Sequence, residues 1–276
     1  MLRATKVPLA ELSGERAIVT GLAADAKLFA GRGQAAEALL AAYGSIVAAE
    51  DAISGLNASA AGPRDRPGPL RPMVVQSRNG RNPNASHFRA AIPARNRDVV
   101  WWQPATRRSW MLWHELGHHR QHSDTWSWGA MSEVTVNIYS LAARRLVVPE
   151  LPNEKVGHGN VKEWEAAKKY LAQPASSKDL DRAGFFTKLV MFEQLRVVFG
   201  DDFYHRLHQR SRAGPNQPAR DRKHYFMTLA AAIAGENLGD YFGKWGAKPE
   251  PRTVAEMKKF PDPTEDYTTV PVYGGK

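Results

Sequence analysis

The sequence predicts an α+β fold with a mixed N-terminal lobe and a mainly helical C-terminal lobe. Short runs of β-type composition, "RAIVTGL" at 16–22 and "MVVQS" at 73–77, fall in the first part of the chain. Longer runs with helical spacing and few glycines or prolines dominate the second part. We predict an N-terminal lobe over 1–128, a C-terminal lobe over 129–248 and a proline-rich tail over 249–276.

Each element of the N-terminal lobe follows from a local pattern. Residues 34–54 repeat apolar side chains at helical spacing and predict a helix. The stretches 55–72 and 78–97 are rich in turn-forming residues and predict loops. The run "DVVWW" at 98–102 predicts a further strand. Residues 106–122 contain no proline and one glycine, which predicts a central helix.

The segment 132–148 carries two competing signals. Val134, Val136 and Ile138 alternate with polar residues, which is typical of a strand. The whole segment lacks glycine and proline, however, and Ser132 stands where a helix N-cap is favoured. We therefore predict a helix here. Periodic or strongly apolar runs predict further helices over 185–200, 201–212 and 221–235.

Composition limits the kind of protein and the kind of metal site. Cysteine is absent, so disulfides and thiolate sites are excluded and a zinc ion would need histidine and carboxylate ligands. No apolar run approaches the ~18 residues of a membrane-spanning helix. Residues 1–16 lack the apolar core and cleavage site of a signal peptide. We expect either a cytoplasmic protein or a mature fragment whose export signal is missing.

The net charge of +10 is unevenly distributed. Ten arginines and two aspartates lie between Arg64 and Arg108, so most of the excess charge precedes the histidine-rich segment described next. Such a stretch is either a solvated face or a positive field that attracts an anionic partner. We do not expect a nucleic acid as the partner, because no recognised nucleic-acid motif accompanies the charge.

The run "WHELGHHRQH" at 113–122 contains four histidines and one glutamate. On a helix, His114 and His118 lie on the same face, where one ion can bind both imidazoles. Glu115 lies ~100° round the helix, in a position to act on a metal-bound water. In this His-Glu-x-x-His arrangement the ion lowers the pKa of the water, and the glutamate takes the proton and later delivers it.

A catalytic zinc site requires a third protein ligand and an open position. Asp124 fits the spacing of metzincin-like sites, but those sites turn the chain at a glycine, and Gln121 stands at that position. Glu133, at the start of the next predicted helix, is the favoured alternative. Asn137 shares a face with Glu133 and could accept a hydrogen bond from the far nitrogen of a ligand histidine.

Other polar residues near the motif have several explanations. His118 and His122 also form an i, i+4 pair, but no glutamate lies between them to act as the base. We therefore expect His119 and His122 to be structural or substrate-side groups. Gln121 could pack against the 132–148 segment. Possible oxyanion-stabilising groups lie in the helical lobe, but each also has a structural explanation: Tyr204, His205, His224 and Tyr225.

Tryptophans are concentrated around the motif, with six of the eight between residues 101 and 128. Trp110 and Trp113 lie on the predicted helix itself, where packing is the expected role. Trp126 and Trp128 lie in the connecting loop, where they could either pack or contact a sugar or peptide. Together with the arginine-rich segment, substrate-side tryptophans would suit an anionic, sialylated or sulfated glycan.

These motifs resemble those of the enhancin-like zinc metallopeptidases, family sixty of the metallopeptidase class. The family consists of gluzincins and includes viral enhancins and bacterial mucin-degrading proteases. The runs "HELGHHRQ" at 114–121 and "SEVTVNIYSL" at 132–141 match its patterns His-Glu-x-Gly-His-x-x-Gln and Glu-Val-x-x-Asn at every fixed position. The similarity continues through 185–207 and 235–249, with weaker similarity upstream.

The resemblance implies a gluzincin-type core around a zinc cleft. One Zn²⁺ would be bound by His114, His118 and Glu133, with Glu115 as the general base. It further implies a zinc metalloendopeptidase that cleaves mucin-type or other O-glycosylated proteins, secreted or at the cell surface, and we expect a monomer. Where the family commonly has a His-x-Gly-Tyr-Pro-like stretch, this chain has "HFRAAIP" at 87–93, which makes His87 the matching substrate-side candidate.

Two other classes of protein remain open. A non-catalytic glycan-binding or adhesive protein would keep the fold, but its activity would not depend on Glu115. A basic nucleic-acid-binding protein would bind DNA in a steeply salt-dependent way without a metal. The intact Glu115 argues against the first alternative, and the absence of a nucleic-acid motif argues against the second.

Overall fold

The computed structural model describes residues 6–151, 158–214 and 220–273. These residues form a five-stranded sheet and a mostly helical remainder, which confirms the predicted α+β class. Residues 1–5, part of the segment judged not to be a signal peptide, lie outside the described residues. Among the described residues, no helix is both long enough and apolar enough to cross a bilayer.

The chain divides into two compact units. The first, here called the sheet unit, comprises the described residues of 1–51, 67–120 and 139–150. The second, here called the helical unit, comprises those of 52–66, 121–138 and 151–276. The lobe boundaries proposed from the sequence, at residues 128 and 248, stay a prediction.

The sheet has the strand order β1-β2-β3-β5-β4. Its strands are β1 (Leu9–Ser13), β2 (Ile18–Leu22), β3 (Met73–Ser77), β4 (Asn84–Ser86) and β5 (Arg89–Pro93). The pairs β1–β2 and β4–β5 are antiparallel, whereas β2–β3 and β3–β5 are parallel. Val19, Val74 and Ala90 lie opposite one another on the three central strands and are fully buried. This apolar row fixes the register, because a one-residue slip would expose it.

The helices account for most of the remaining described residues. They are α1 (Ala23–Gly31), α2 (Ala36–Ile53), α3 (Arg97–Trp101), α4 (Gln103–Thr106), α5 (Trp110–Gly117), α6 (Ser132–Thr135), α7 (Asn137–Val147), α8 (Val161–Leu171), α9 (Phe185–Phe199), α10 (Asp201–Ala213), α11 (Arg222–Ala234), α12 (Gly239–Lys244) and α13 (Pro251–Met257). The helices predicted at 34–54, 185–200, 201–212 and 221–235 are therefore confirmed.

Two predictions for the N-terminal part were wrong. Residues 98–102, predicted as a strand, lie mostly in helix α3. Valine and tryptophan favour strands, but here Val100 and Trp101 are buried and the Trp101 indole donates to Gln76 Oε1 at 2.9 Å. The stretch 78–97, predicted as a loop, contains β4 and β5. Pairing holds these strands rather than local propensity, because β5 pairs with β3 and β4 pairs with β5.

The two helices that carry the motif residues differ from their predicted lengths. The central helix was predicted over 106–122, but α5 begins at Trp110 and ends at Gly117. The Ser109 side chain accepts a hydrogen bond from Leu112 N and so defines where α5 begins. The segment 132–148 is helical as predicted, although it consists of two helices, α6 and α7.

The core of the helical unit is rich in aromatic side chains. Phe226 of α11 contacts the rings of Trp126, Trp128, Phe192 and Phe242. Gly200 separates α9 from α10 at φ 77°, a conformation that favours glycine. The ring contacts of Trp126 and Trp128 with Phe226, and of Trp128 with Phe192, hold the 121–138 segment against α9 and α11. This segment carries one of the predicted metal ligands.

Candidate metal centre

Helix α5 and its C-cap residue, His118, present two histidines on one face. Its opposite face is anchored by Leu112, Trp113 and Leu116, which are fully buried. His114 and His118 are half-buried, and their ring centroids lie 4.9 Å apart in an edge-to-face arrangement. The i, i+4 spacing therefore brings the two imidazoles together, as the helical geometry predicts.

Glu115 follows His114 on α5 and is 5% exposed. Helical geometry directs its side chain away from the line that joins the two histidines. At this exposure Glu115 is largely shielded from bulk water. This placement suits a general base, the role that the sequence predicts for Glu115.

Glu133 lies on the short helix α6, in the helical unit, and its residue is exposed. Asn137, one turn later, is 2% exposed, and its Nδ2 donates to the backbone oxygen of Glu133 at 2.9 Å. This hydrogen bond joins the end of α6 to the start of α7 and limits the freedom of the turn that carries Glu133. The predicted hydrogen bond from Asn137 to a ligand histidine stays a prediction.

Within the described residues, one group of histidine, cysteine and acidic side chains could hold a metal ion. It consists of His114, His118 and Glu133, and one ligand atom from each lies within 4.8 Å of the others. Two imidazole nitrogens and one carboxylate oxygen form a donor set typical of catalytic zinc. The residues present therefore fit the ion that the sequence predicts. Asp124, the alternative third ligand, is exposed and is not part of this group.

The chain beyond α5 is fixed by a buried ion pair in the sheet unit. Arg120 donates from Nε and Nη2 to Asp51 Oδ1 at 3.0 and 2.8 Å. The backbone oxygen of Arg120 accepts a hydrogen bond from the Tyr139 hydroxyl at 2.7 Å. Sequence reasoning did not identify Asp51. The signal was available, since Glu50 and Asp51 are adjacent acids on an otherwise apolar helical run.

Gln121 contacts the 132–148 segment, as the sequence predicts. Its Nε2 donates to Thr135 Oγ1 at 2.7 Å and also to the backbone oxygen of Ser132. Ser127 Oγ shares this small network, 2.7 Å from Thr135 Oγ1. Within the helical unit, Gln121 thus ties the start of the connecting loop to the helix that carries Glu133.

His119 and His122 are both partly buried. Burial and the positive charge of Arg120 lower the pKa of His119 to about 4. Burial and the charge of Arg212 lower the pKa of His122 to about 4. His122 Nδ1 lies 2.6 Å from Ser211 Oγ, and its ring contacts that of His208 at 5.0 Å. These contacts favour a structural role for His122.

The predicted substrate-side residues have different surroundings. Trp126 is fully buried between His122, His208 and Phe226, which corresponds to the packing alternative that the sequence left open. Trp128 is 8% exposed, and its indole nitrogen donates to Asp181 Oδ1 at 2.9 Å. His87 is exposed. Substrate contact by Trp128 or His87 stays a prediction.

Two of the possible oxyanion-stabilising groups are engaged elsewhere in the helical unit. The Tyr204 hydroxyl donates to the backbone oxygen of Phe192 at 2.7 Å, and Tyr204 is fully buried. His224 Nδ1 lies 2.8 Å from Thr253 Oγ1. These contacts correspond to the structural explanation for both residues. The group that stabilises an oxyanion stays unassigned.

A comparison with protein-family models identifies the class of protein to which the chain belongs. The family model described as "Peptidase M60, enhancin and enhancin-like" matches residues 1–246. The chain therefore belongs to this family, which confirms the resemblance inferred from its motifs. A comparison with curated proteins finds no match.

Solved structures share the fold. A functionally unknown conserved protein from Bacillus anthracis str. Ames is 28% identical, with a TM-score of 0.78 over 94% of this chain and 53% of that one. The catalytic module of the metalloprotease ZmpA from Clostridium perfringens is 15% identical, with a TM-score of 0.74 over 95% of this chain and 50% of that one. The chain thus spans about half the length of these two structures.

A third solved structure, of a metallopeptidase in complex with Tn antigen, is 15% identical to this chain. Its TM-score is 0.75, and the match covers 97% of this chain and 54% of that one. At this identity the likeness establishes the shared fold. The glycan named for that structure is a property of that protein.

Proposed function

We propose that the protein is a zinc metalloendopeptidase that hydrolyses peptide bonds in mucin-type or other O-glycosylated proteins. The observation that carries the proposal is the group of His114, His118 and Glu133, whose ligand atoms lie within 4.8 Å of one another. Glu115 directly follows His114 on α5. Membership of the peptidase M60 family supports the same reaction class.

The three ligands would hold one Zn²⁺ and leave a position open for solvent and substrate. When bound, zinc lowers the pKa of a water molecule and polarises the scissile carbonyl. His114 lies on α5 and His118 is its C-cap residue, so the helical backbone sets the spacing of two of the three ligands before the ion binds. Glu133 adds one negative charge, which partly offsets the charge of the ion.

Glu115 would act as the general base and then as the general acid. Its carboxylate accepts a proton from a water molecule at the site while the water oxygen forms a bond to the carbonyl carbon of the substrate. The carbon–nitrogen bond then breaks, and Glu115 gives the proton to the departing amine. Because Glu115 is only 5% exposed, its carboxylate would exchange protons with bulk water less readily than with the water and the amine at the site.

The glycoprotein substrate, the location and the oligomeric state belong to the same proposal. The solved relative in complex with Tn antigen supports a glycan as part of the substrate. A mucin-type substrate would place the enzyme outside the cell or at its surface. We expect the chain to act as a monomer.

The experiment compares wild-type protein with Glu115→Gln and with Glu193→Gln as a matched control. Glu193 is also buried, at 6% exposure. When Glu193 is replaced, its ion-pair partner Arg196 still has a second carboxylate partner, Asp201. Zinc content is measured by mass spectrometry, and cleavage is measured on an O-glycopeptide and on the same peptide without its glycan.

We expect stoichiometric zinc in all three proteins and a loss of about 10²–10⁴-fold in cleavage rate for Glu115→Gln only. We also expect the glycopeptide to be cut faster than the bare peptide. Equal cleavage by Glu115→Gln and wild type would exclude Glu115 as the base. Equal cleavage of both peptides would remove the glycan from the substrate.

A further inference from the structure

A shallow, open pocket with a positively charged lining lies in the helical unit, and none of the three proposed metal ligands lines it. It has a volume of about 660 Å³ and is lined by Trp128, Gly129, residues 220–223 and Arg252. We call it the basic pocket. Four of its lining side chains are cations, and Asp221 is the one carboxylate among them.

Two of the four cations are already paired. Lys223 Nζ lies 2.8 Å from Asp181 Oδ2. Arg252 pairs with Asp221 at 2.5 Å and with Glu250 at 2.8 Å.

Arg220 and Arg222 have no ion-pair partner within the parts of the chain that the structure describes. The basic pocket therefore keeps a net positive charge even when the paired carboxylates are counted. Two guanidinium groups remain available to an incoming ligand. Guanidinium is the side-chain group best suited to bidentate hydrogen bonds with a carboxylate, sulfate or phosphate.

The wall of the basic pocket is rigid. The carboxylate of Asp181 holds both Trp128 Nε1 and Lys223 Nζ, one on each oxygen. Lys188, 3% exposed, donates from Nζ to the backbone oxygens of Ala130 and Asp181 at 2.8 and 3.3 Å. The Trp128 ring also packs on Phe226. A preorganised wall of this kind lowers the entropic cost of ordering a ligand.

The basic pocket is close to Glu133 along the chain. Gly129 lines the pocket and starts a single 3-10 turn, Gly129–Met131, which leads directly into α6. Helical rises of 1.5–2.0 Å per residue place Glu133 about 6–8 Å from Gly129. A group bound in the basic pocket would therefore lie about one sugar residue or two amino-acid residues away from Glu133, the proposed third zinc ligand.

We propose that the basic pocket is an anion-binding subsite that takes a carboxylate or sulfate group carried by the substrate. The inference rests on the proposed function, because it takes the occupant to be part of a protein substrate. Arg220 and Arg222 are the specificity-determining residues, and Trp128 forms the apolar wall beside them. The acidic group can come from the glycan or from an Asp or Glu side chain of the peptide, and the chemistry of recognition is the same.

The test uses zinc-loaded Glu115→Gln protein, so that binding is measured without cleavage. Three synthetic ligands share one peptide backbone: a glycopeptide with a neutral glycan, the same glycopeptide capped with N-acetylneuraminic acid, and a neutral glycopeptide with one added aspartate. Affinities are measured by fluorescence polarisation at fixed low salt. Arg220 and Arg222 are replaced together by glutamine. The control replaces Arg206 and Arg210, two exposed arginines of α10, in the same way.

We expect the Arg220→Gln/Arg222→Gln protein to lose about tenfold in affinity for at least one acidic ligand and to bind the neutral ligand as before. The acidic ligand that responds identifies the source of the anion. Charge reversal by Arg222→Glu should weaken that ligand further. Equal affinities for the neutral and both acidic ligands, or an equal loss in the Arg206/Arg210 control, would overturn the proposal.

The two proposals fail in different ways. If wild-type protein cleaves no peptide but the acidic preference depends on Arg220 and Arg222, the anion-binding subsite stands and the peptidase assignment fails. If wild-type protein cleaves acidic and neutral glycopeptides equally well and binds them equally, the assignment stands and the subsite fails.

Discussion

Arg120 and Asp51 form a buried ion pair two residues beyond His118. Both hydrogen bonds from the Arg120 guanidinium end on Asp51 Oδ1, and Arg16 Nη1 lies 3.2 Å from the other oxygen, Oδ2. The side chains of Arg120 and Asp51 are 12% and 5% exposed. This pair ties the chain that follows the two proposed zinc-ligand histidines to helix α2, so it should govern both stability and the position of His118.

Replacing the Asp51 carboxylate with a neutral group should therefore lower the stability of the folded protein. We expect Asp51→Asn to lower the free energy of unfolding by about 3–5 kcal/mol, because it leaves Arg120 buried with an incomplete partner set. Urea unfolding in the presence of a chelator measures this effect without the contribution of zinc. The control is Asp202→Asn, whose partner Arg206 is 57% exposed and whose loss should cost at most about 1 kcal/mol. Equal effects of the two substitutions would contradict a buried anchor.

The third ligand can be tested against its alternative. We expect Glu133→Ala to weaken zinc binding by more than the ~10–100-fold typical of residues that only support a ligand. Asp124→Ala should leave zinc binding unchanged, because Asp124 is not part of the ligand group. Competition with a fluorescent chelator measures both affinities. A larger loss for Asp124→Ala would reassign the third ligand.

Stability should fall in mild acid because of two buried histidines. The pKa of His122 is lowered to about 4 by burial and then by Arg212, and the pKa of His208 lies well below its usual range through burial and then through His122. Below about pH 6.5 the unfolded chain takes up protons on these residues, whereas the folded protein does not do so until about pH 4 for His122. The free energy of unfolding is therefore fully present above pH 6.5 and decreases as the pH falls toward 4.

Each buried histidine should contribute a slope of up to about 1.4 kcal/mol per pH unit in this range. We expect the double variant His122→Gln/His208→Gln to show a shallower dependence than wild type between pH 6.5 and 4, whatever its absolute stability. Urea unfolding at half-unit pH steps measures the slope. Identical slopes would mean that neither histidine is held neutral by the fold.

Adding a side chain at Gly246, a glycine of the helical unit, should lower the stability of the folded protein. Gly246 has φ 70°, and a Cβ there would lie 2.8 Å from Lys178 Cβ and 3.0 Å from the Lys178 backbone carbon. We expect Gly246→Ala to cost about 1–3 kcal/mol, from the left-handed conformation and the close contact together. Gly243→Ala is the control, because it meets nothing within 4 Å and lies in helix α12, where alanine is favoured by about 0.5–1 kcal/mol. Thermal melting of both variants distinguishes the two effects.

The sequence predicts the parts of the fold that rest on local pattern. Helices α2, α9, α10 and α11 follow from apolar spacing and capping residues such as Asp221, whose side chain accepts from His224 N. The strands β4 and β5 and the helix over 97–101 could not be predicted in this way. Strand β5 depends on pairing with β3, β4 depends on pairing with β5, and the helix depends on the burial of Trp101.

The residues of the candidate site also fall into two groups: those that local sequence pattern predicts and those that only the folded chain brings together. His114, Glu115 and His118 are recognisable because the spacing of a single helix brings their side chains together. Glu133 depends on a second helix, and only family patterns single it out among the other acids. The sequence marks Asp51 as an acid on a largely apolar helix but does not reveal its partner, because the Arg120–Asp51 ion pair joins residues 69 positions apart. The place of Arg222 beside Trp128 likewise exists only in the folded chain.

Anomalous diffraction at the zinc absorption edge from a crystal grown with zinc tests the ligand group most directly. We expect one peak per chain, about 2.0–2.2 Å from a nitrogen of His114, a nitrogen of His118 and a carboxylate oxygen of Glu133. A peak bound elsewhere, or one whose coordination sphere lacks Glu133, would contradict the metal centre and with it the proposed hydrolysis.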